Sequence, residues 1–265
     1  MKGASTLPEK AYRLIKHMFL TDQLVSGQKL RYQDLAQRLD MSQTPVIIAL
    51  VRLEEEGLVR SEANKGFYVP EIDLDEAREL YEVRVLLEVF LAPAVVANLD
   101  DARLAEVENL LKAHRQVRGQ VYQRERLLRD AHFHLGLATV SGNQVVTQIL
   151  RRVFDLLYLR YKPEILSIQR QDEAEGEHAE LFKALTARDA QAVAGCLRQH
   201  IERGQMRMLK GLRDEQDRRQ AMIERVGTDL ALGHVPPPPR PSADRRASTK
   251  KSNGFSAQVL DSKEG

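Results

Sequence analysis

The first 60 residues carry hydrophobic positions at helical spacing, separated by turn residues. An apolar face repeats every three to four positions from residue 7 to about residue 25, and Gly27 follows it as a helix end. A shorter pattern at residues 33–39 precedes a turn at Asp40 and Met41. A third pattern has the i, i+3, i+4, i+7 spacing of a buried helical face, at Val46, Ala49, Leu50 and Leu53. We therefore predict three helices, the last of them ending at Gly57.

A turn and two short alternating segments follow the third helix. Ser42 and Thr44 are placed to cap that helix with their hydroxyls, and Pro45 suits its first turn, where no backbone N–H is required. Residues 58–61 and 67–70 alternate like strands, with Asn64, Lys65 and Gly66 between them as the turn. These elements predict a winged helix-turn-helix domain over residues 1–70, with three helices and a two-stranded wing. Such a domain places a helix in the major groove of DNA.

The pattern after the wing is helical throughout. Asp73 opens the first of these helices, and Glu76 three residues later makes a pair similar to a capping box. We find no convincing strand pattern as far as residue 222. The predicted helices span residues 75–98, 101–117, 121–140, 143–161, 171–187 and 189–222, and the breaks lie at Ser141-Gly142-Asn143, Lys162-Pro163 and Arg188-Asp189. The fold class is therefore mainly α, with an all-helical bundle over residues 73–222 behind the winged helix.

The last 40 residues change in composition. Residues 236–239 are all proline, and the segment after them is rich in serine, alanine, arginine and lysine. We predict a disordered, proline-rich, basic tail over residues 226–265, because such a composition buries little apolar surface. A solvated tail and loose contact with DNA phosphates are the two interpretations.

Composition and charge narrow the class of protein. The 265 residues carry a net charge of only +2, so nucleic-acid binding is inferred from the helix-turn-helix pattern and not from charge. The single cysteine, Cys196, excludes an intramolecular disulfide. No apolar run is long enough to predict a membrane helix or a signal core. We expect a cytoplasmic protein with no membrane partner.

Four residues in three predicted helices form a candidate metal site. Asp130 and His134 are four residues apart and so share one helical face, while His178 and His200 lie near the buried faces of two later helices. Imidazole and carboxylate ligands of this kind suit zinc, nickel, manganese or iron. The spacing alone also fits hydrogen-bonded core residues. The other histidines lie outside this pattern, and we expect them at the surface or in solvent: His17, His114, His132 and His234.

The winged-helix segment resembles the DNA-binding domain of the GntR family of bacterial transcription regulators. The resemblance rests on Leu35-Ala36, Ser42-Gln43-Thr44-Pro45-Val46, Ala49-Leu50, Leu53-Glu54, Gly57-Leu58-Val59 and Gly66. Two positions depart from the family pattern: Gln43 stands where arginine is usual, and Ile47-Ile48 where Arg-Glu is usual. Base contacts are therefore expected from Gln43, Thr44 and Ile47, because glutamine pairs with adenine and methyl groups contact thymine. The remaining predicted DNA-contacting residues are Arg31, Tyr32, Arg38, Ser42, Arg52, Lys65 and Gly66.

Residues 73–222 resemble the helical effector domain, called FCD, of the FadR-type branch of this family. The metal-binding motif of that domain coincides with Asp130, His134, His178 and His200, with Glu177 preceding His178. The resemblance implies a divalent metal ion, for which zinc is the first choice. It also places Arg84 and Asn143 in an effector pocket, where a guanidinium would suit a carboxylate. An ion pair between Arg84 and Glu88, one turn later, is the alternative interpretation of Arg84.

The resemblance implies a homodimeric transcription regulator, a repressor, that is not an enzyme. Its winged helix would bind double-stranded operator DNA, and a small carboxylate at the metal site would modulate that binding. Two alternatives remain from the sequence. One is a metal-dependent enzyme with an attached winged helix, since an open metal site can activate water. The other is an interaction module that does not bind DNA, because Ile47 and Ile48 replace polar residues.

Overall fold

The computed structural model of the chain describes residues 6–21, 23–71, 73–116, 123–160 and 171–231. Internal contacts divide the chain into two units, with the boundary after Arg218. All elements up to Arg218 belong to the first unit. The elements, in chain order, are α1 (Leu7–Leu20), β1 (Lys29–Leu30), α2 (Tyr32–Arg38), α3 (Gln43–Glu55), β2 (Arg60–Glu62), β3 (Gly66–Tyr68), α4 (Leu74–Asn98), α5 (Asp101–Gln116), α6 (Gln123–Val140), α7 (Gln144–Arg160), α8 (Gln171–Thr186) and α9 (Ala190–Ala231). The predicted class, a winged helix followed by helices only, is confirmed.

The winged helix forms as its sequence predicts, with two differences. Helix α1 ends at Leu20 instead of near residue 25, and the Thr21 hydroxyl donates to the carbonyl of His17 (2.9 Å) at that end. The sheet has three strands in the order β1-β3-β2, all antiparallel, where two were predicted. Strand β1 is only two residues long, too short for an alternating pattern to reveal it.

The core of the winged helix consists of the apolar faces of α1 and α3. Ile15, Phe19, Leu50 and Leu53 are fully buried there, together with Leu58 after the end of α3. Gly57 adopts φ = +79° directly after that helix, a conformation that glycine accepts without a Cβ clash. Ser42 stands at the N-cap of α3 as predicted, but its side chain makes no capping hydrogen bond.

Helices α4–α9 surround a second core, and α6 lies against α4, α5 and α7. The Asp73 side chain accepts from the backbone N–H of Glu76 (2.6 Å), which confirms the predicted start of α4. Helix α9 continues to Ala231, past the position at which the sequence predicts the tail, so residues 226–231 are helical and that boundary is wrong. The rest of the predicted tail, with the proline run, lies outside the described residues, as does the predicted break at Lys162-Pro163.

Helix α7 contacts both cores. Phe154 and Leu157 are buried among the bundle helices, whereas Leu159 is buried in the core of the winged helix. Arg160, at the end of α7, donates two hydrogen bonds to the Glu76 carboxylate, both of 2.7 Å. The same helix bonds to the winged helix through an ion pair between Asp155 and Lys16 of α1 (2.7 Å). One helix therefore joins the two parts of the compact unit.

Candidate metal centre and DNA-reading surface

The four predicted ligands meet inside the helical bundle. Asp130 and His134 lie one turn apart on α6, His178 lies on α8, and His200 lies on α9. One ligand atom from each residue lies within 4.8 Å of all the others. The three histidines are buried, and the Asp130 side chain is nearly so. Helices from distant parts of the sequence thus bring together one carboxylate and three imidazoles.

Asp130 lies at the middle of this cluster. Its Oδ1 is 3.2 Å from Nε2 of His178 and 3.7 Å from Nε2 of His134, and its Oδ2 accepts a hydrogen bond from the Tyr158 hydroxyl (2.8 Å). Nε2 of His134 and Nε2 of His200 are 3.2 Å apart. Burial opposes ionisation of Asp130, but the surrounding imidazoles hold the pKa of its carboxyl well below the usual value. The Nε2 atoms of His134 and His178 face one carboxylate oxygen, and Nε2 of His200 lies beside that of His134, as ligands of a single ion would.

Two further carboxylates contact the Nδ1 atoms of two of these imidazoles. Glu88 of α4 lies 2.6 Å from Nδ1 of His134, and Glu177 of α8 lies 2.8 Å from Nδ1 of His200. Burial opposes the ionised form of Glu88, yet the Arg84 guanidinium and the His134 imidazole lower its pKa to about 2. Burial likewise opposes ionisation of Glu177, and its hydrogen bonds from His200 and Arg207 lower that pKa to about 2. Both groups are therefore hydrogen-bond acceptors at neutral pH.

His114 belongs to this region, contrary to the expectation that it is solvated. It is only 2% exposed, its Nε2 is 4.0 Å from Oδ1 of Asp130, and its ring packs edge-on against His178. Burial lowers its pKa to about 4, so it is neutral at pH 7. The error has a clear source, because Val107, Leu111 and His114 form an i, i+4, i+7 face that marks a buried position on α5.

His132 also differs from expectation. Its side chain is partly buried, and burial lowers its pKa.

Arg84 is one of the largest fully buried side chains among the described residues. Its Nε donates to Glu88 (2.8 Å), and its guanidinium lies over the Phe154 ring, 4.5 Å from the centroid. Its Nη2 is buried and has no hydrogen-bond partner in the part of the chain that the structure describes. The ion pair with Glu88, the alternative interpretation, is thus present, and one guanidinium nitrogen remains available for a ligand.

Asn143 has a capping contact at the start of α7. Its Oδ1 accepts from the backbone N–H of Val146 (3.1 Å). It borders a surface groove that Phe90, Pro93 and Val145 also line, and none of the four metal ligands lines that groove. Its role in effector binding stays a prediction.

The predicted DNA-contacting residues lie around the exposed face of α3. Gln43 and Thr44 are exposed at its start, and Ile47 is partly buried. Ile48 and Val51 are also exposed, 49% and 43% respectively, so the outer face of this helix is largely apolar. The base-contacting roles of Gln43, Thr44 and Ile47 stay predictions.

The cations of the winged helix are mostly engaged with neighbouring residues. Arg52 bonds to Glu9 of α1 (2.6 Å) and stacks over the Tyr12 ring at 3.9 Å. Two other predicted phosphate contacts are also paired: Arg38 donates to Gln23 (2.9 Å), and Lys65 pairs with Glu62 (3.2 Å). Arg31 is exposed before α2, whereas Tyr32 packs partly against the core. Gly66 adopts φ = +97° at the wing. Each remains a predicted contact, and Arg52 would have to leave its ion pairs to reach a phosphate.

A winged helix ahead of an all-helical domain with a carboxylate–imidazole cluster is an architecture typical of transcription regulators. The family described as bacterial regulatory proteins, gntR family, matches residues 7–69, and the FCD domain matches residues 79–203. The chain belongs to the GntR family and carries an FCD domain. It is accordingly a DNA-binding transcription regulator, which confirms the resemblance seen in the sequence.

Individual proteins agree with this assignment. The HTH-type transcriptional repressor GlaR of Escherichia coli is 26% identical over 200 residues, covering 72% of this chain and 90% of that protein. The HTH-type transcriptional regulator McbR of Escherichia coli is 29% identical over 188 residues, covering 69% and 84%. The solved structure of E. coli McbR/YncC superposes with a TM-score of 0.65 over 78% of this chain and 98% of that one, at 24% identity, and so shares the fold.

These relatives are regulators and not enzymes, which confirms that part of the prediction and leaves both alternatives without support. None of the helices in the described part of the chain has the length and apolarity that crossing a bilayer requires.

The cluster generates a direct prediction about metal content. We expect one divalent ion per chain, measured by elemental mass spectrometry after dialysis against metal-free buffer. Zinc at 100 times its Kd should raise the free energy of unfolding by about 2.7 kcal/mol, because the ion binds only the folded state. The double variant His134→Ala, His178→Ala should lose both effects.

His17→Ala, at an exposed position on α1, is the control and should bind metal like the parent protein. A parent protein without metal and without thermal stabilisation by added zinc, nickel, manganese or iron would contradict the prediction.

Proposed function

We propose that this chain is a repressor that binds a palindromic operator as a homodimer and responds to a small carboxylate held at the metal centre of its helical domain. The observation that carries the proposal is the double contact of helix α7. On one side, Tyr158 donates to the metal ligand Asp130; one residue later, Leu159 is buried in the core of the winged helix. A change at the metal centre therefore has a short physical path to the DNA-binding part.

The donor set of the centre suits a divalent cation with room for a further ligand. One carboxylate and three imidazoles are compatible with zinc, and metals that prefer five or six ligands would keep open positions. An ion bound there would supply a Lewis-acidic position for a carboxylate oxygen. The buried Nη2 of Arg84, which has no partner among the described residues, offers a second, charge-assisted contact for the same carboxylate.

Regulation requires that the effector bind one arrangement of the molecule more tightly than another. Helix α7 is suited to convert a local change into such a difference, because it is fixed on both sides. Arg160 is held by Glu76, and Arg152 donates to the backbone carbonyl of Glu55 at the end of α3 (2.6 Å). A shift of α7 would therefore move the end of the helix that reads DNA. The repressor sign is proposed by analogy with GlaR, which is named a repressor.

An apolar surface on α4 and α7 supports the dimer. Leu86, Phe90, Val145 and Ile149 are exposed by 70%, 67%, 68% and 45%, although each is a large hydrophobic side chain. Phe90 and Val145 line the same groove, so exposed apolar side chains of the two helices adjoin each other there. A second copy of the chain is the occupant we propose, since a two-fold interface pairs a patch with itself. Two chains joined in this way would present two winged helices to two half-sites.

Replacement of Arg84 by lysine tests the effector site. Lysine keeps a positive charge beside Glu88 but removes the second guanidinium nitrogen, and a hydrogen bond between charged groups contributes about 1.5–3 kcal/mol. We expect calorimetric affinity of the zinc-loaded protein for small carboxylates, screened as acetate, malate and citrate, to fall roughly 10- to 100-fold. The carboxylates that bind should also release operator DNA from the parent protein.

Arg78→Lys, on the exposed side of the same helix, is the matched control. Equal affinity in Arg84→Lys and the parent protein would leave Arg84 as a structural partner of Glu88 only.

Two substitutions in the winged helix test how DNA is read. Gln43→Ala should relax base preference at one position in each half-site, at a cost of about 1–3 kcal/mol, whereas Lys65→Ala should weaken all sequences alike. Operators selected from a random library should be rich in A·T at the contacted positions, because Gln43, Thr44 and Ile47 suit adenine and the thymine methyl group. A G·C-centred operator whose selection survives Gln43→Ala would show that another segment reads the bases.

Phe90→Glu tests the dimer surface. A charge at the centre of the patch would have to be buried without a partner, so the variant should sediment as a monomer at micromolar concentration while the parent protein sediments as a dimer. Met206→Glu introduces the same charge at a side chain on α9 that is 62% exposed, and it should stay dimeric. Dimers of equal stability in all three proteins would place the interface elsewhere.

A further inference from the structure

Two of the three candidate ligand imidazoles are contacted by carboxylates from other helices. Glu88 contacts Nδ1 of His134, and Glu177 contacts Nδ1 of His200, at 2.6 and 2.8 Å. A carboxylate oxygen at this distance is an acceptor for an N–H on Nδ1. Nε2 of each ring points into the cluster instead, where the two Nε2 atoms lie 3.2 Å apart. With Nδ1 engaged by the carboxylate, Nε2 is the nitrogen that each ring presents to a metal ion.

An arginine side chain also donates hydrogen bonds to each of these two carboxylates. Nε of Arg84 donates to Oε1 of Glu88 (2.8 Å) within the bundle core, where both side chains are almost fully buried. Arg207 of α9 donates to both oxygens of Glu177, at 3.1 and 3.0 Å. These ion pairs keep the carboxylates charged and fixed, which a group that orients an imidazole must be.

His178 provides an internal contrast. Its Nδ1 is buried and has no hydrogen-bond partner among the described residues. Its Nε2 is 3.2 Å from Oδ1 of Asp130 but is not aligned for a hydrogen bond. Among the three ligand histidines, His134 and His200 therefore have a carboxylate at Nδ1, and in the described part of the chain His178 does not.

We propose that Glu88 and Glu177 are positioning residues of the metal centre, which act through His134 and His200 to raise the affinity for the ion. This inference rests on the proposed metal binding. A carboxylate behind a ligand imidazole fixes the ring and increases the basicity of the nitrogen that binds the metal, and loss of such a group weakens metal binding by about 10- to 100-fold. Glu88 in addition connects His134 to Arg84, so the metal and the proposed carboxylate effector share one hydrogen-bonded chain.

The test measures zinc affinity by competition with a chromogenic chelator, with the full chain. Glu88→Gln and Glu177→Gln keep the size of the side chain and remove its charge. We expect each variant to bind zinc roughly 10- to 100-fold more weakly than the parent protein. Glu79→Gln on α4 and Glu180→Gln on α8, both at exposed positions, are the matched controls and should bind zinc like the parent protein.

A second readout separates positioning from a loss of folding. The visible absorption bands of the cobalt(II)-loaded protein report the geometry and basicity of its ligands, and they should shift in both glutamine variants but in neither control. Glu88→Gln leaves the buried Arg84 charge unpaired, so the double variant Arg84→Met, Glu88→Gln removes both charges together. It should show the same loss of zinc affinity. If the Glu88 variants do not fold, Glu177→Gln decides the outcome.

Absence of the metal site and absence of a role for the two carboxylates would give different results. A parent protein that binds no divalent ion would overturn the proposed metal site itself. A parent protein that binds zinc while folded Glu88→Gln and Glu177→Gln bind it equally tightly would overturn only the role of the two carboxylates.

Discussion

The nearly buried carboxylate of Asp130 imposes the constraint on which the helical domain depends. An anion inside a helical bundle is costly unless its oxygens are bonded and its charge is balanced. Tyr158 donates to one oxygen of Asp130, and Nε2 atoms of His114, His134 and His178 lie within 4.0 Å of the other, where a bound cation would balance the charge. Helices α5, α6, α7 and α8 must therefore keep their relative positions for this one charge to be tolerated.

The same constraint explains why the centre is suited to control. Tyr158 belongs to α7, and the residues immediately after it, Leu159 and Arg160, are fixed in and near the winged helix. A change in the charge or coordination at Asp130 would change the environment of Tyr158, and a rigid helix would carry the displacement to the end of α3. The path is short because one helix makes both contacts, and no chain of intermediate residues is needed. This is a physical connection between two sites, and its energetic coupling is what the effector experiment measures.

The charged side chains of the winged helix have a different role from those of the helical domain. Arg52, the cation of the reading helix, is tied to Glu9 and Tyr12 of α1, where it contributes to packing between the two helices. The exposed face of α3 then presents mostly methyl groups and uncharged polar groups. If it reads DNA as proposed, such a face would discriminate bases through apolar contact with thymine and hydrogen bonds from Gln43, and it would neutralise few phosphates. We therefore expect sequence-specific DNA binding with weak non-specific binding.

Local sequence patterns by themselves determined the order of helices and wing, and the one-turn spacing of Asp130 and His134, because these depend on neighbours within a few residues. Buried helical faces also made His178 and His200 candidate ligands, and resemblance to the family strengthened their assignment to one site, because no local pattern links them to the other two. Only the tertiary structure decided that His114 is buried beside the centre, that Arg52 is paired, and that Glu88 and Glu177 support the ligand imidazoles. Each of these depends on which helix packs opposite, as Glu88 and His134 show at a separation of 46 residues. The two-residue strand β1 likewise exists only because β3 is present to bond with it.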